Sequence, residues 1–264
     1  MPKPLEDLAW RQSKPTGDAI LWLHGYTLDS SIWEELWSEL PEFRHIGLDL
    51  PGHGQSRSMT PDEDLRSLSR TISSFAGELT VKYLAGISFG GMIALQVAAD
   101  APAQFSALIL GSPPLAGGPV DPHAQTCNLT LMRLFREKGR GPWLRERWMT
   151  CPPDIFRGAI NHPALRERLA RVIDAHRWEE LADSRMARFT IAAQTPDVLR
   201  RVQVPTLLLI GEDDMASFKR TSTLIGRHVP HCQRMMVPGA GHLALLEKPA
   251  AMAPLVRTHL ERFK

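Results

Sequence analysis

A serine stands among three glycines where an apolar run gives way to a helical pattern. The run 81–85 is followed by Gly86, Ile87, Ser88, Phe89, Gly90 and Gly91, and then by MIALQVAA. A strand that turns sharply into a helix lifts one side chain clear of the sheet. The residues two before and two after that side chain crowd each other unless they are very small. Gly86 and Gly90 meet that demand, and Gly91 lets the helix close on the sheet. The helix N-terminus brings partial positive charge to any anion forming at Ser88. A nucleophile is the chemistry such a turn serves.

A serine hydroxyl attacks a carbonyl only when a base takes its proton and a third group orients that base. Two candidate orienting groups, Asp213 and Asp214, follow the apolar run 206–210 in LLLIGEDDMAS. His242 stands in a glycine-rich loop, GAGH, beyond the run 234–237. All three positions follow strands, and function in an open parallel sheet gathers at the carboxyl ends of its strands.

The elements that must position them read as an alternation. Apolar runs at 19–23, 43–50, 81–85, 107–110, 206–210 and 234–237 have the look of buried parallel strands. Helical spacing falls between them at 31–40, 62–79, 88–99, 217–228 and 249–263. The fold class is therefore α/β, a mostly parallel, doubly wound sheet. A chain of 264 residues, 43% of them hydrophobic, suffices for one such domain carrying an insertion.

The alternation stops at Pro113 and resumes after Val204, and the intervening stretch is helical in character and holds Trp143, Trp148, Trp178, Met132, Met149 and Met186. The predicted organisation is a core of 1–112 and 205–264 with a helical cap, 113–204, inserted between two strands. The cap holds 15 Lys or Arg against 10 Asp or Glu, a balance of +5 against −3 for the rest. That asymmetry fits either an acidic substrate or carrier, or a solvated surface on which arginines pair with neighbouring acids.

A net charge of +2 without charged blocks argues against nucleic acid. The first 17 residues contain no apolar run, so neither a signal peptide nor a membrane association is expected, and the predicted location is cytoplasmic. Cys127, Cys151 and Cys232 have no CxxC spacing, and read as free, mostly buried thiols. The histidines show no HExxH or similar spacing, so no metal and no cofactor is expected.

Taken together, four segments resemble the α/β-hydrolase superfamily across nearly the whole chain: LHGYTLDSSIW (23–33), DLPGHGQS (49–56), GISFGG (86–91), and the GEDD and GAGH pair in the order Ser, Asp, His. The resemblance selects Asp214, three residues after Gly211, over Asp213 as the acid. It implies a catalytic triad of Ser88, His242 and Asp214, and an oxyanion hole from the backbone N–H groups of Tyr26 and Phe89. The side chains of Tyr26 and Phe89, with Trp143 and Trp148 from the cap, are then expected to line the substrate pocket. His24, Gly25 and His53 read as turn formers, and Asp29, Ser30 and Ser31 as caps of the following helix. Many members begin with a longer two-strand hairpin, so the sheet is expected to be one strand short.

The implied reaction is hydrolysis of a carboxylic ester, lactone or thioester through an acyl-enzyme. The implied partner is a small-molecule acyl substrate, anionic or carrier-bound in some subfamilies, and the chain is expected to be a monomer or homodimer. GISFGGM is similar to the elbow of enol-lactone hydrolases and near that of carbon–carbon bond hydrolases. The compact N-terminus and basic cap resemble esterases of carrier-protein methyl esters. The menaquinone-pathway synthase that eliminates pyruvate shares the layout, but an arginine usually follows its elbow where Met92 stands here. A hydrolase-fold ligand receptor is the non-catalytic alternative.

Overall fold

The computed structural model describes residues 7–150, 155–183 and 185–263. Seven strands form one sheet: β1 (Trp10–Gln12), β2 (Ala19–Leu23), β3 (Arg44–Leu48), β4 (Val81–Ile87), β5 (Ala107–Gly111), β6 (Thr206–Gly211) and β7 (Cys232–Val237), in the order β1-β3-β2-β4-β5-β6-β7. Every pairing is parallel except β1 with β3. The N-terminal strand is three residues long and lies on the outer edge of β3 instead of forming a hairpin with β2.

β2, β5 and β6 are buried along their whole length because helices cover both faces of the sheet. Alternate residues feed two cores: Ile20, Trp22, Tyr83 and Leu207 face one, Leu21, Leu23, Leu84 and Leu208 the other. β7 corrects the expectation of a buried strand. It is the outer strand beside β6, so Gln233 and Arg234 reach solvent and Met236 is 47% exposed.

The helices before β5 are α1 (Glu34–Ser38), α2 (Leu65–Glu78) and α3 (Phe89–Asp100). α3 is apolar all round and is buried from Phe89 to Ala99. Between β5 and β6 the described elements are helical: α4 (Pro122–Lys138), α5 (Pro142–Thr150), α6 (Pro163–Ala175), α7 (Arg188–Ile191) and α8 (Pro196–Arg200), with short 3-10 turns. Leu131, Leu144, Leu165 and Leu169 of this insertion continue the first core. The buried Gln194 fastens its far end, donating to Met92 O (2.9 Å) while its Oε1 accepts Ala116 N–H (3.2 Å). After β6 come α9 (Ala216–His228), α10 (Ala244–Glu247) and α11 (Pro249–Glu261).

Cys127 is buried and Cys232 half-buried, and burial raises the Cys232 thiol to about 11. Cys151 lies outside the described residues. Among the described residues no helix is long and apolar enough to cross a membrane.

His45, on β3, gives the fold a pH dependence. The Trp22 indole N–H donates to its Nδ1 (3.1 Å), its Nε2–H donates to Leu40 O (2.8 Å), and Trp37 stacks on the ring. Burial lowers its pKa to about 4. The unfolded chain therefore takes up this proton first as pH falls. The stabilisation is complete above the ordinary value near 6.5 and is lost toward pH 4, up to about 3 kcal/mol. Burial lowers His24 and His53 as well, adding in the same direction. Denaturant unfolding should give a markedly lower stability at pH 5 than at pH 7, with a shallower decline for His45→Gln. Equal slopes in the two proteins would show that His45 does not carry it.

Candidate active site

Ser88 occupies the one-residue turn between β4 and α3 with φ 52° and ψ −123°. This is a positive-φ conformation that a non-glycine residue adopts only when its surroundings enforce it, at about 1–3 kcal/mol. The peptide is pinned by Ser88 N–H donating to Gly111 O (2.8 Å) and Met92 N–H donating to Ser88 O (3.0 Å). The glycines are required by close approach: a Cβ on Gly86 would lie 2.5 Å from Gly90 O, and one on Gly90 would collide with the carbonyls of Leu23 and His24.

Ser88 Oγ lies 2.9 Å from His242 Nε2, and His242 Nδ1 lies 3.0 Å from Asp214 Oδ1. A carboxylate at Nδ1 places the neutral imidazole's proton there, leaving Nε2 as acceptor for the serine hydroxyl. His242 and Asp214 are buried, whereas Ser88 is half-buried. Asp214 Oδ1 also accepts Met215 N–H (2.7 Å), while Oδ2 is buried without a hydrogen-bond partner among the described residues. Asp213 is exposed, its N–H donating to Ala240 O (2.9 Å). Phe218 covers the imidazole at a ring separation of 4.2 Å.

The histidine loop has a support that the sequence reading missed. The buried Glu247 carboxylate accepts Gly241 N–H (2.6 Å) and Leu243 N–H (3.0 Å), the peptides on either side of His242. Only the proximity of LEKP to GAGH could have pointed to it.

The loop after β2 runs beside Ser88, close enough that a Cβ on Gly25 would sit 3.4 Å from Ser88 Cβ. Tyr26 is the next residue. Phe89 is the first residue of α3, where backbone N–H groups have no partner within the helix. His24 braces this loop: Leu50 N–H donates to its Nε2 (3.0 Å), so its Nδ1–H donates to Gly25 O (2.8 Å). Asp29 caps the turn that follows by accepting Ser31 N–H (2.8 Å). Asp49, also missed, accepts Ser30 N–H (2.8 Å) and Gln55 N–H (3.0 Å), joining this loop to DLPGHGQS.

The insertion closes over these loops. Trp148 meets the Tyr26 ring edge-on at 5.3 Å, and its indole N–H donates to Thr27 Oγ1 (2.7 Å). Phe189 packs edge-on to Phe89 at 5.3 Å. Trp143 is engaged at its own turn, where its N–H donates to Gly139 O (3.1 Å) and Lys138 lies over its ring. The Tyr26 hydroxyl donates to Glu180 Oε1 (2.5 Å), which also accepts from His176 Nε2 (3.0 Å). Burial would raise the Glu180 carboxyl, but the hydrogen bonds from His176 and Tyr26 outweigh it and hold the group below its ordinary value. Burial, then Glu180, pushes the Tyr26 phenol well above its ordinary value, so it stays protonated. The His53 ring sits 4.8 Å from His176 and 6.3 Å from Phe89.

Arginines of the basic insertion pair with acids at its surface, among them Arg145 with Asp174, Arg171 with Glu167, Arg185 with Asp183 and Arg168 with Glu35. The charged group that meets Tyr26 is an anion.

Comparison with known proteins agrees with this architecture. The chain is 31% identical over 258 residues to the 2-succinyl-6-hydroxy-2,4-cyclohexadiene-1-carboxylate synthase of Enterobacter sp. (strain 638), covering 92% of each. It is 27% identical over 248 residues to the pimeloyl-(acyl-carrier protein) methyl ester esterase of Nitrosomonas europaea, covering 88% of this chain and 92% of the relative. A thermophilic esterase from Thermogutta terrifontis superposes with a TM-score of 0.81 at 26% identity, over 97% of this chain and 93% of its own. A sequence profile described as the alpha/beta hydrolase family matches residues 20–255, and the chain is an enzyme of that family.

Proposed function

We propose that this enzyme is a serine hydrolase that cleaves a carboxylic ester, lactone or thioester through an acyl-enzyme on Ser88. The observation that carries the reading is the unbroken hydrogen-bonded line from Ser88 Oγ through His242 to Asp214, at 2.9 and 3.0 Å. In this reading His242 Nε2 takes the hydroxyl proton as Ser88 Oγ bonds to the acyl carbon, and the carbonyl π pair moves onto oxygen. Asp214 keeps the Nδ1 proton in place and stabilises the imidazolium. The N–H groups of Tyr26 and Phe89 receive the oxyanion, each worth about 2.7–4 kcal/mol in the transition state. Collapse breaks the bond to the leaving alcohol or thiol, which takes the proton from His242. Water, deprotonated by the same nitrogen, then releases the acid and restores Ser88.

The segment 113–204 acts as a cap over the core of 1–112 and 205–264, and supplies Trp148 and Phe189 opposite Tyr26 and Phe89. Those four aromatic side chains favour an apolar acyl group. An anionic one is disfavoured beside Glu180, whose carboxylate faces the Tyr26 hydroxyl. The synthase named among the relatives gives a second reading on the same Ser88, and its 31% identity favours it. Met92, buried on α3 at the position where the elbow of the pyruvate-eliminating synthase is usually followed by an arginine, weighs for ester hydrolysis.

The test is intact mass after treatment with a fluorophosphonate, beside hydrolysis of p-nitrophenyl esters of rising chain length. A single adduct with ester turnover supports the reading, and the chain-length profile sizes the pocket. No adduct and no hydrolysis would refute it and favour a ligand receptor.

A further inference from the structure

We infer that the cap holds the oxyanion loop through a latch between Glu180 and Tyr26, so that cap seating assembles the catalytic site as well as covering it. The inference rests on the proposed role of the Tyr26 N–H as an oxyanion donor.

The core braces the ends of this loop. His24 fixes Gly25 by accepting Leu50 N–H and donating to the Gly25 carbonyl, and Asp49 fixes Ser30. Of the four residues between them, Tyr26 and Thr27 send their side chains to the cap instead. The Tyr26 hydroxyl ends on Glu180, which His176 holds from the far side at 3.0 Å. Trp148 donates to Thr27 Oγ1, and that hydroxyl donates on to Tyr26 O (2.6 Å). The Tyr26 hydroxyl is thus held by the cap directly, and its carbonyl by the neighbouring Thr27 hydroxyl, which the cap's Trp148 anchors in turn.

Thr27 has φ 64°, a left-handed conformation that a β-branched residue keeps only when its surroundings enforce it. With the cap displaced, both side-chain contacts go. The peptide that carries the Tyr26 N–H is then left to the two core hydrogen bonds on Gly25 O, from His24 Nδ1–H (2.8 Å) and Leu28 N–H (3.1 Å), with less to keep the N–H aimed at the oxyanion position. Glu180 and Trp148 are therefore positioning residues. A substrate too long to let the cap seat should lose kcat more than KM.

Tyr26→Phe isolates the effect, because it deletes the hydroxyl and leaves the backbone N–H chemically intact. Misplacing a donor costs less than deleting one, so kcat should fall about tenfold with KM within about twofold, and the rate of fluorophosphonate labelling should fall in step. Glu180→Leu should lose as much. The double variant should be no worse than either single one, since both break the same bond. Glu180→Gln keeps an acceptor oxygen and should recover most of the loss.

Full kcat in Tyr26→Phe, a loss confined to KM, or additive losses in the double variant would each overturn the latch. If Glu180→Leu does not fold, Tyr26→Phe decides alone. Failure of the wild type itself to label would instead sink the serine-hydrolase reading, and the latch with it.

Discussion

Ser88→Ala is expected to lower kcat by about 10⁵-fold, because nucleophile and base act as a unit and neither works without the other. What survives would be the background from oxyanion stabilisation and substrate positioning, about 10³–10⁴ over water. The fold should hold. Among the described residues Ser88 Oγ has one hydrogen-bond partner, His242 Nε2, and the strained turn is built from backbone contacts to Gly111 and Met92 that alanine keeps. Alanine also tolerates φ 52° no worse than serine, so melting temperatures of the two proteins should agree closely. The fluorophosphonate adduct must vanish in the same variant. Turnover within tenfold of the wild type would mean that another group attacks the substrate, and that Ser88 is only the residue its turn happens to display.

The parts of this molecule that could be read from sequence are those that leave a local pattern. β2, β5 and β6 announce themselves as unbroken apolar runs because both of their faces are covered, and α3 as an apolar helix for the same reason. β7 was misread because an edge strand need not bury every residue: its Arg234 reaches back to Ser222 Oγ at 3.0 Å. Ser88 was singled out by its glycines together with the apolar run before them and the apolar helix after them. Choosing Asp214 over Asp213 needed a family resemblance, since two adjacent aspartates carry no pattern that separates them.

The contacts between the helical insertion and the loop after β2 were illegible for a different reason. Tyr26 and Glu180 are 154 positions apart, and nothing local distinguishes Glu180 from its neighbour Glu179, which lies on the surface and pairs with Arg177. Trp143 and Trp148 looked equivalent, yet they sit five residues apart on α5. At about 100° per residue that turns their side chains roughly 140° from each other. Trp148 accordingly reaches Thr27 while Trp143 folds back on Gly139.

The two aspartates give the second large expected effect. Asp214→Asn should reduce kcat by about 10⁴-fold, because an amide that donates to Nδ1 selects the wrong imidazole tautomer and no longer stabilises its cation. Nε2 would then carry the proton and could not accept one from Ser88. Asp213→Asn should stay within about twofold, since an exposed side chain that takes no part in the His242 line contributes little. The contrast is sharp because the substitutions are chemically identical and one residue apart. Only burial and aim differ: Asp214 is 3% exposed with Oδ1 on His242, while the Asp213 side chain lies in solvent. Kinetics of both variants on one p-nitrophenyl ester decide the matter. Comparable losses would mean that the β6 turn rearranges in solution to let either carboxylate serve, and a reversed order would transfer the orienting role to Asp213.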